Sequence, residues 1–300
     1  MKKNFILLTA LLISLFAFTQ CNHDNGEGDG NENSNQCAVT DFDGNCYDTV
    51  HIGNQVWMKS NLRTTHFRDG SAIPSGGNDL SSSIPYFYIP TTISEDDQSL
   101  LSISINDYDS QIHGLYYNAA AVQDSRGLCP AGWHVPSLTD WFVMEKHLIS
   151  HPGQYFSFLQ NYTDSDGENF YDIFTEYIDE ISIDELNEQE GVPFTSKTLS
   201  SKTGWLVLYD DFDPDELESY LVPTYYPANN NSSGFSAYPA GYCYGQTVYG
   251  FGYKYFFWTS SLCGPGATWV QTCGDARNQM FPWPVEHEDG EGISVRCVKD

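Results

Sequence analysis

Positive charge is scarce in this 300-residue chain: 13 Lys and Arg stand against 40 Asp and Glu, a formal net charge of −27. A surface of that sign repels phosphate backbones and anionic lipid headgroups, which argues against nucleic acid as a partner. Catalytic signatures are missing as well. There is no Gly-x-Ser-x-Gly, no His-Glu-x-x-His and no phosphate-binding glycine loop. With 40 acidic residues, no carboxylate pair singles itself out for glycoside hydrolysis. No repeat of fixed period is visible. The apolar run from Phe5 to Phe18 is too short to span a bilayer as a mature helix.

What is present suits an exported, loop-rich module. Hydrophobic residues make up 40% and aromatics 15%, enough for a sizeable core, and 25 Gly and 20 Tyr accompany them. Met1-Lys2-Lys3 and the apolar run read as a signal peptide over residues 1–20. Phe18-Thr19-Gln20-Cys21 resembles a lipobox, with Cys21 as the acylated residue. Gln20 stands where a small residue is usual, so plain secretion with Cys21 as an ordinary thiol is the alternative. Loss of Lys2 and Lys3 with the leader leaves 11 basic residues and a charge of −29. Residues 21–36 are a polar, acidic tether without an apolar face. Their acidity next to Cys21 resembles the surface-export signals of Bacteroides-type lipoproteins, which implies display at the outer membrane.

Between these ends the patterning predicts few long elements. Tyr47–Ile52 and Gln55–Met58 flank Gly53-Asn54 as a hairpin. Ser137 and Asp140 form a capping box ahead of Leu138, Trp141, Met144 and Leu148 at helical spacing, so a helix should run until just before His151-Pro152. Phe170, Ile173, Phe174, Tyr177 and Ile181 predict a second, acidic helix over 169–181, and Ser182 and Glu185 a short capped continuation. Residues 74–112 read as an extended loop. From Gly204 onward the chain reads as short β segments and turns.

Leu128-Cys129-Pro130-Ala131-Gly132-Trp133-His134-Val135-Pro136-Ser137 with Trp141 resembles the hallmark of the Fibrobacter succinogenes major paralogous domain, a family of secreted and lipid-anchored bacterial modules. Val39–Asn45 with Ile52–Leu62 is similar to the family's opening. Gly114–Ala119 resembles its middle, and Ser233–Ala237, Tyr255–Ser261 and Ile293–Val298 its closing blocks. The resemblance implies an α+β, C-type-lectin-like fold related to the formylglycine-generating type, over 37–300, with 150–195 as an insertion. It also implies a bond between Cys129 and Cys297. It does not fix an activity. The copper-binding cysteine pair of the formylglycine-generating relatives has no counterpart, because Cys263 and Cys273 are ten residues apart.

Of the remaining cysteines, Cys37 and Cys46 flank an Asp-Gly turn and are expected to pair. Cys263 and Cys273 bracket Gly264-Pro265-Gly266 and are expected to pair too, with Cys243 left over and able to replace a member of either later pair. Asp41–Asn45 and Asp164–Glu168 resemble the start of a calcium loop, but neither continues to a bidentate Glu, and Asp-Gly turns account for both. No cofactor is expected, and calcium has no supporting motif. His147 and His151 have metal-ligand spacing on a helix but no third ligand; a helix C-terminus welcomes histidine anyway. His134 reads as a structural hydrogen-bonding residue. In the aromatic run 242–258, Phe257 or Trp258 should be core. Tyr242, Tyr244, Tyr249 and Tyr253, flanked by glycines, are expected on loops where rings stack on a sugar or fill a protein pocket. The expected function is non-catalytic binding of a glycan or protein at the cell surface. A structural or adhesin subunit, and an enzyme with an unrecognised site, are the alternatives.

Overall fold

The computed structural model describes residues 37–101, 103–161, 167–180, 195–205, 230–273, 280–287 and 290–300. The leader, Cys21, the tether, Asp164–Asp166 and the Ser182–Glu185 continuation lie outside the described residues. Cys37–Asp300 packs as one unit.

The N-terminal part forms β1 (Val39–Thr40), β2 (Cys46–Tyr47) and a hairpin of β3 (Thr49–Ile52) and β4 (Gln55–Met58). The stretch expected as an extended loop contains β5 (Phe87–Tyr88), β6 (Thr92–Ile93), α1 (Glu95–Leu101) and α2 (Ser110–His113). After β7 (Tyr116–Tyr117) and α3 (Ala119–Val122), β8 (Trp133–His134) leads into α4 (Leu138–Ile149). Ser137 caps α4: its hydroxyl accepts from Asp140 N, while the Asp140 carboxylate accepts from Ser137 N. The region read as an insertion holds α5 (Pro152–Tyr155) and α6 (Phe170–Glu180), and α7 (Thr195–Leu199) follows. The remainder is strand: β9 (Tyr242–Tyr244), β10 (Thr247–Tyr249), β11 (Tyr255–Gly264), β12 (Ala267–Cys273), β13 (Phe281–Glu286), β14 (Glu291–Ser294) and β15 (Val298–Lys299). The fold is α+β.

Among the described residues, the largest sheet has the order β13-β12-β11-β14-β9-β10-β6, with β7 joined to β14 and β5 to β7. A second sheet runs β3-β4-β15-β8. The long strand β11 shows why both are needed. Successive side chains leave a strand on opposite faces. Tyr255 and Phe257 enter one core with Trp57, Trp141, Met144 and Leu148. Trp258 enters another with Met58, Leu115, Ala121 and Val135, and Phe256 packs at its margin. Trp258 Nε1 donates to the Tyr117 carbonyl at 2.6 Å, so even this buried ring has its polar atom satisfied.

Two disulfides tie the unit. Cys37 and Cys46 close the N-terminal turn, with Cα atoms 5.4 Å apart. Cys129 and Cys297 bond across a separation of 168 residues. A loop of that length is worth about 5 kcal/mol in the chain-entropy account. The expected bond between Cys263 and Cys273 is not formed, and Cys263 is a free thiol. Register is the reason. Gly264 pairs with Ala267 at the turn, whereas Cys273 lies opposite Tyr255 at the far end of the hairpin. Five residue steps along β12 separate Thr268, beside Cys263, from Cys273, about 17 Å and far beyond disulfide reach. Cys243 is free as well, and buried.

Arg296 is fully buried and joins three distant stretches. Its guanidinium donates to Asn61 Oδ1 at 3.1 and 2.6 Å, to the Phe235 carbonyl at 2.5 Å and to the Ser236 carbonyl at 3.3 Å. The Phe235 ring lies 4.4 Å and the Phe257 ring 5.2 Å from its central carbon. Burial pulls its pKa down to about 9, still above neutrality, so the group stays charged. Ser236, at φ 60°, turns the chain so that consecutive carbonyls face the cation. Asn231 holds that turn by exchanging hydrogen bonds with Ser236.

Candidate functional site

The sequence placed all four glycine-flanked tyrosines on loops; the structure puts three of them in strands. Tyr242 and Tyr244 lie in β9, and Tyr249 in β10. Gly241, Gly245 and Gly250 end these strands at φ 65°, 60° and 68°. At Gly241 a Cβ would sit 2.0 Å from the Tyr249 carbonyl oxygen, so the approach of the two strands requires glycine. Tyr249 is directly opposite Tyr242 in the antiparallel register. Their rings stack at 5.4 Å with an interplanar angle of 18°. The Tyr242 ring also meets Phe256 edge-on at 5.3 Å. Tyr244, two residues along the same face, is 45% exposed. Cys243, between them, points inward, and burial pushes its thiol pKa up.

Tyr253 does something else. It sits in the turn before β11, and its hydroxyl donates to Asp97 Oδ1 at 2.6 Å. Asp97 Oδ2 accepts from Gly250 N at 2.8 Å, so this carboxylate pins the β10–β11 turn to α1. The Lys254 ammonium lies 5.2 Å from the Tyr253 ring centre. Burial raises the Tyr242 pKa, and the charges of Glu291, Tyr249 and Asp97 raise it further; Glu291 lies directly opposite Tyr244 in the ladder of β14 to β9. The Thr92 and Thr247 hydroxyls, 2.9 Å apart, add hydrogen-bonding groups on the neighbouring strands. The arrangement can stack flat apolar surfaces and accept hydrogen bonds. Nothing in it activates a nucleophile.

The other sequence candidates are occupied by the protein itself. Asp41 accepts from Asn45 N, Asn45 Nδ2 and the Tyr47 hydroxyl. Asp43 accepts from Thr65 N, the Thr64 and Thr65 hydroxyls and the His66 ring. Burial would raise its pKa, yet these bonds together hold it below the usual carboxylate value. No three His, Cys, Asp or Glu groups among the described residues are placed to hold a metal. The His147 and His151 rings lie 4.2 Å apart at a 38° tilt, with His151 Nδ1 on the His147 carbonyl and His147 Nε2 by the Tyr155 hydroxyl. His134 bridges Asp300 at 2.7 Å and Asp140 at 3.4 Å, joining the C-terminus to the start of α4.

Glu145 was not singled out by sequence. It is buried on α4, its Oε1 accepts from Gln271 Nε2 at 2.6 Å, and burial pushes its pKa up to about 8. A perturbed carboxyl is the mark of many active sites; this one is sealed between α4 and β12, 3% exposed and bonded to Gln271. Its only sequence signal is an acid on the stripe of Trp141, Met144 and Leu148.

The sequence model of the Fibrobacter succinogenes major domain matches residues 50–299. The chain belongs to this family. No curated protein and no solved structure matches it. The match takes in the Cys129–Cys297 disulfide, Asn61, Phe235 and Arg296, and the whole aromatic face of β9–β11. The Cys37–Cys46 turn precedes it. In this Fibrobacter succinogenes major domain Asn61, Phe235 and Arg296, far apart in the matched range, meet in the core, while Tyr242 of β9 packs at a core margin.

Proposed function

We propose that this Fibrobacter succinogenes major domain is a non-catalytic module that binds a neutral glycan at the cell surface. The observation that carries the reading is the half-open aromatic face: Tyr242 stacked on Tyr249 and set edge-on to Phe256, with Tyr244 exposed beside them. Flat rings stack on the apolar faces of sugars, and the Thr92 and Thr247 hydroxyls on the neighbouring strands suit the sugar's hydroxyl groups. The mixed sheets, the capped helix before them and the disulfide from the first helical region to the C-terminal strands support a C-type-lectin-like scaffold. A lipid on Cys21 and the acidic segment after it would display the domain outside the outer membrane. Among the described residues no helix is long and apolar enough to cross a membrane. A protein ligand is the second reading, favoured by the exposure of Tyr244, Leu262 and Trp283.

A glycan array probed with the full chain in detergent tests the proposal. Binding to neutral glycans is expected, lost on Tyr242→Ala together with Tyr249→Ala and retained in moderate salt. Binding that survives the double substitution, or collapses with added salt, places the site elsewhere.

A further inference from the structure

The aromatic face does not end at Phe256. Phe256 lies directly opposite Thr272 in β12, and Thr272 directly opposite Phe281 in β13. Residues directly opposite across a sheet share a face, so Phe281 is on the side occupied by Phe256, Tyr242 and Tyr249. Trp283, two residues further on, is on this side too; it is 56% exposed, with its ring centre 6.5 Å from that of Phe281. The row runs from β10 over β9 directly to β11, where Gly241 bridges Tyr255 alongside β14 and the Tyr242 and Phe256 rings meet, and on over β12 to β13, about 20 Å at ordinary strand spacing. That is longer than one sugar ring needs.

The edge strand also speaks to the chemistry of the occupant. Pro282 and Pro284 pair with Gln271 and Trp269 in the ladder to β12. Proline has no N–H, so the ladder bonds from β13 come from Phe281, Trp283 and Val285, and the prolines hold the outward-facing positions. An incoming peptide strand finds no donor at either proline, and Glu286 holds the third outward position. Strand addition by a protein partner is thus disfavoured where the row ends. Anionic polymers are repelled by Glu291, which lies directly opposite Tyr244 and so on the same face, and by the net charge of −27.

We propose that the row is an extended face for a linear neutral glycan chain, with the Tyr242–Tyr249 pair as one subsite and Trp283 as a second, distal one. This rests on the glycan reading above. The test is calorimetric titration of the full chain with neutral gluco-, manno- and xylo-oligosaccharides graded from disaccharide to octasaccharide. Affinity should rise with chain length for at least one series. Trp283→Ala should weaken the octasaccharide about 5- to 100-fold, as loss of one stacked ring does, and leave the disaccharide unchanged; Trp283→Phe should keep most of the gain. Equal affinity for short and long members, or an octasaccharide indifferent to Trp283→Ala, overturns the extended face and leaves the tyrosine site standing. A wild-type chain that binds no member of any series overturns both.

Discussion

Two aromatic neighbourhoods of the chain differ in what their polar atoms touch. Around Arg296, the rings of Phe235 and Phe257 close over a cation whose donors are bound to Asn61 and to the Phe235 and Ser236 carbonyls. Along β9, β10 and β13 the rings are half open, and Tyr244 and Trp283 keep about half their surface in solvent. Ring content is similar in the two places, so ring content alone cannot mark a binding site. In the first, aromatic surface insulates a charge that serves the fold. In the second, it lies on the outer margin of the sheet, where a ligand can reach it.

The comparison is broken most severely at Arg296. Arg296→Met should cost about 3–5 kcal/mol, because Asn61 Oδ1 and two carbonyls are left buried without their donor. Arg296→Lys should recover only part of this, since a single ammonium cannot reproduce the fork that serves three acceptors. Thermal or urea unfolding reads both. Wild-type stability in either variant would mean that the rings, and not the cation, hold the three stretches together.

How much of this was readable beforehand depends on whether partners are local. The α4 start was legible because Ser137 and Asp140 satisfy each other within one turn. The elements between residues 74 and 112 were not. They are two-residue strands and short helices fixed by distant groups: Thr91 and Thr92 N on the Gln246 carbonyl, Tyr86 N on Asn118 Oδ1, Asp97 on Gly250 and Tyr253. No local pattern announces such contacts. The β9 and β10 tyrosines were expected on loops because glycines surround them, yet those glycines are the strand ends of a tight hairpin. The Phe281-Pro282-Trp283-Pro284 alternation did carry a signal: proline at every second position is compatible with an edge strand whose outward N–H sites are empty. The expected Cys263–Cys273 bond failed because a bracketing pattern fixes the turn but not the distance from it.

An effect with a comparable ceiling, but spread over several pH units, is expected at Glu145, which is as sealed as Arg296 but changes charge within reach of ordinary buffers. Its folded pKa of about 8 lies above the ordinary carboxyl value, so the folded state holds the proton more tightly. The stability this contributes is complete below the unfolded pKa and is lost as pH rises through about 8. Glu145→Gln removes the titration, keeps the shape and retains hydrogen bonding to Gln271. The variant should gain on the wild type by up to about 1.4 kcal/mol for each pH unit between the two pKa values, with no further gain above pH 8. Urea midpoints measured across that range check it, and parallel curves for the two proteins would show that the carboxyl ionises freely in the fold.

The smallest effect on folding should fall on the open rings, and there the comparison is sharpest. Tyr244 and Trp283 already leave about half their area in water, so replacing either by Ala removes little buried surface. Each variant should unfold within about 0.5 kcal/mol of the wild type. Phe257→Ala, two strand positions from Tyr255 in the sealed core, should cost about 3–5 kcal/mol instead. Tyr242 stands between the two cases: its ring packs on Phe256 and Tyr249, so Tyr242→Ala loses both aromatic contacts and should cost more than Tyr244→Ala. Unfolding midpoints for the four variants therefore rank the rings by burial, and glycan titration ranks the three open ones by contact. If Tyr244→Ala and Trp283→Ala destabilise as much as Phe257→Ala, the outer rings belong to the core, and the proposed binding face is part of the scaffold.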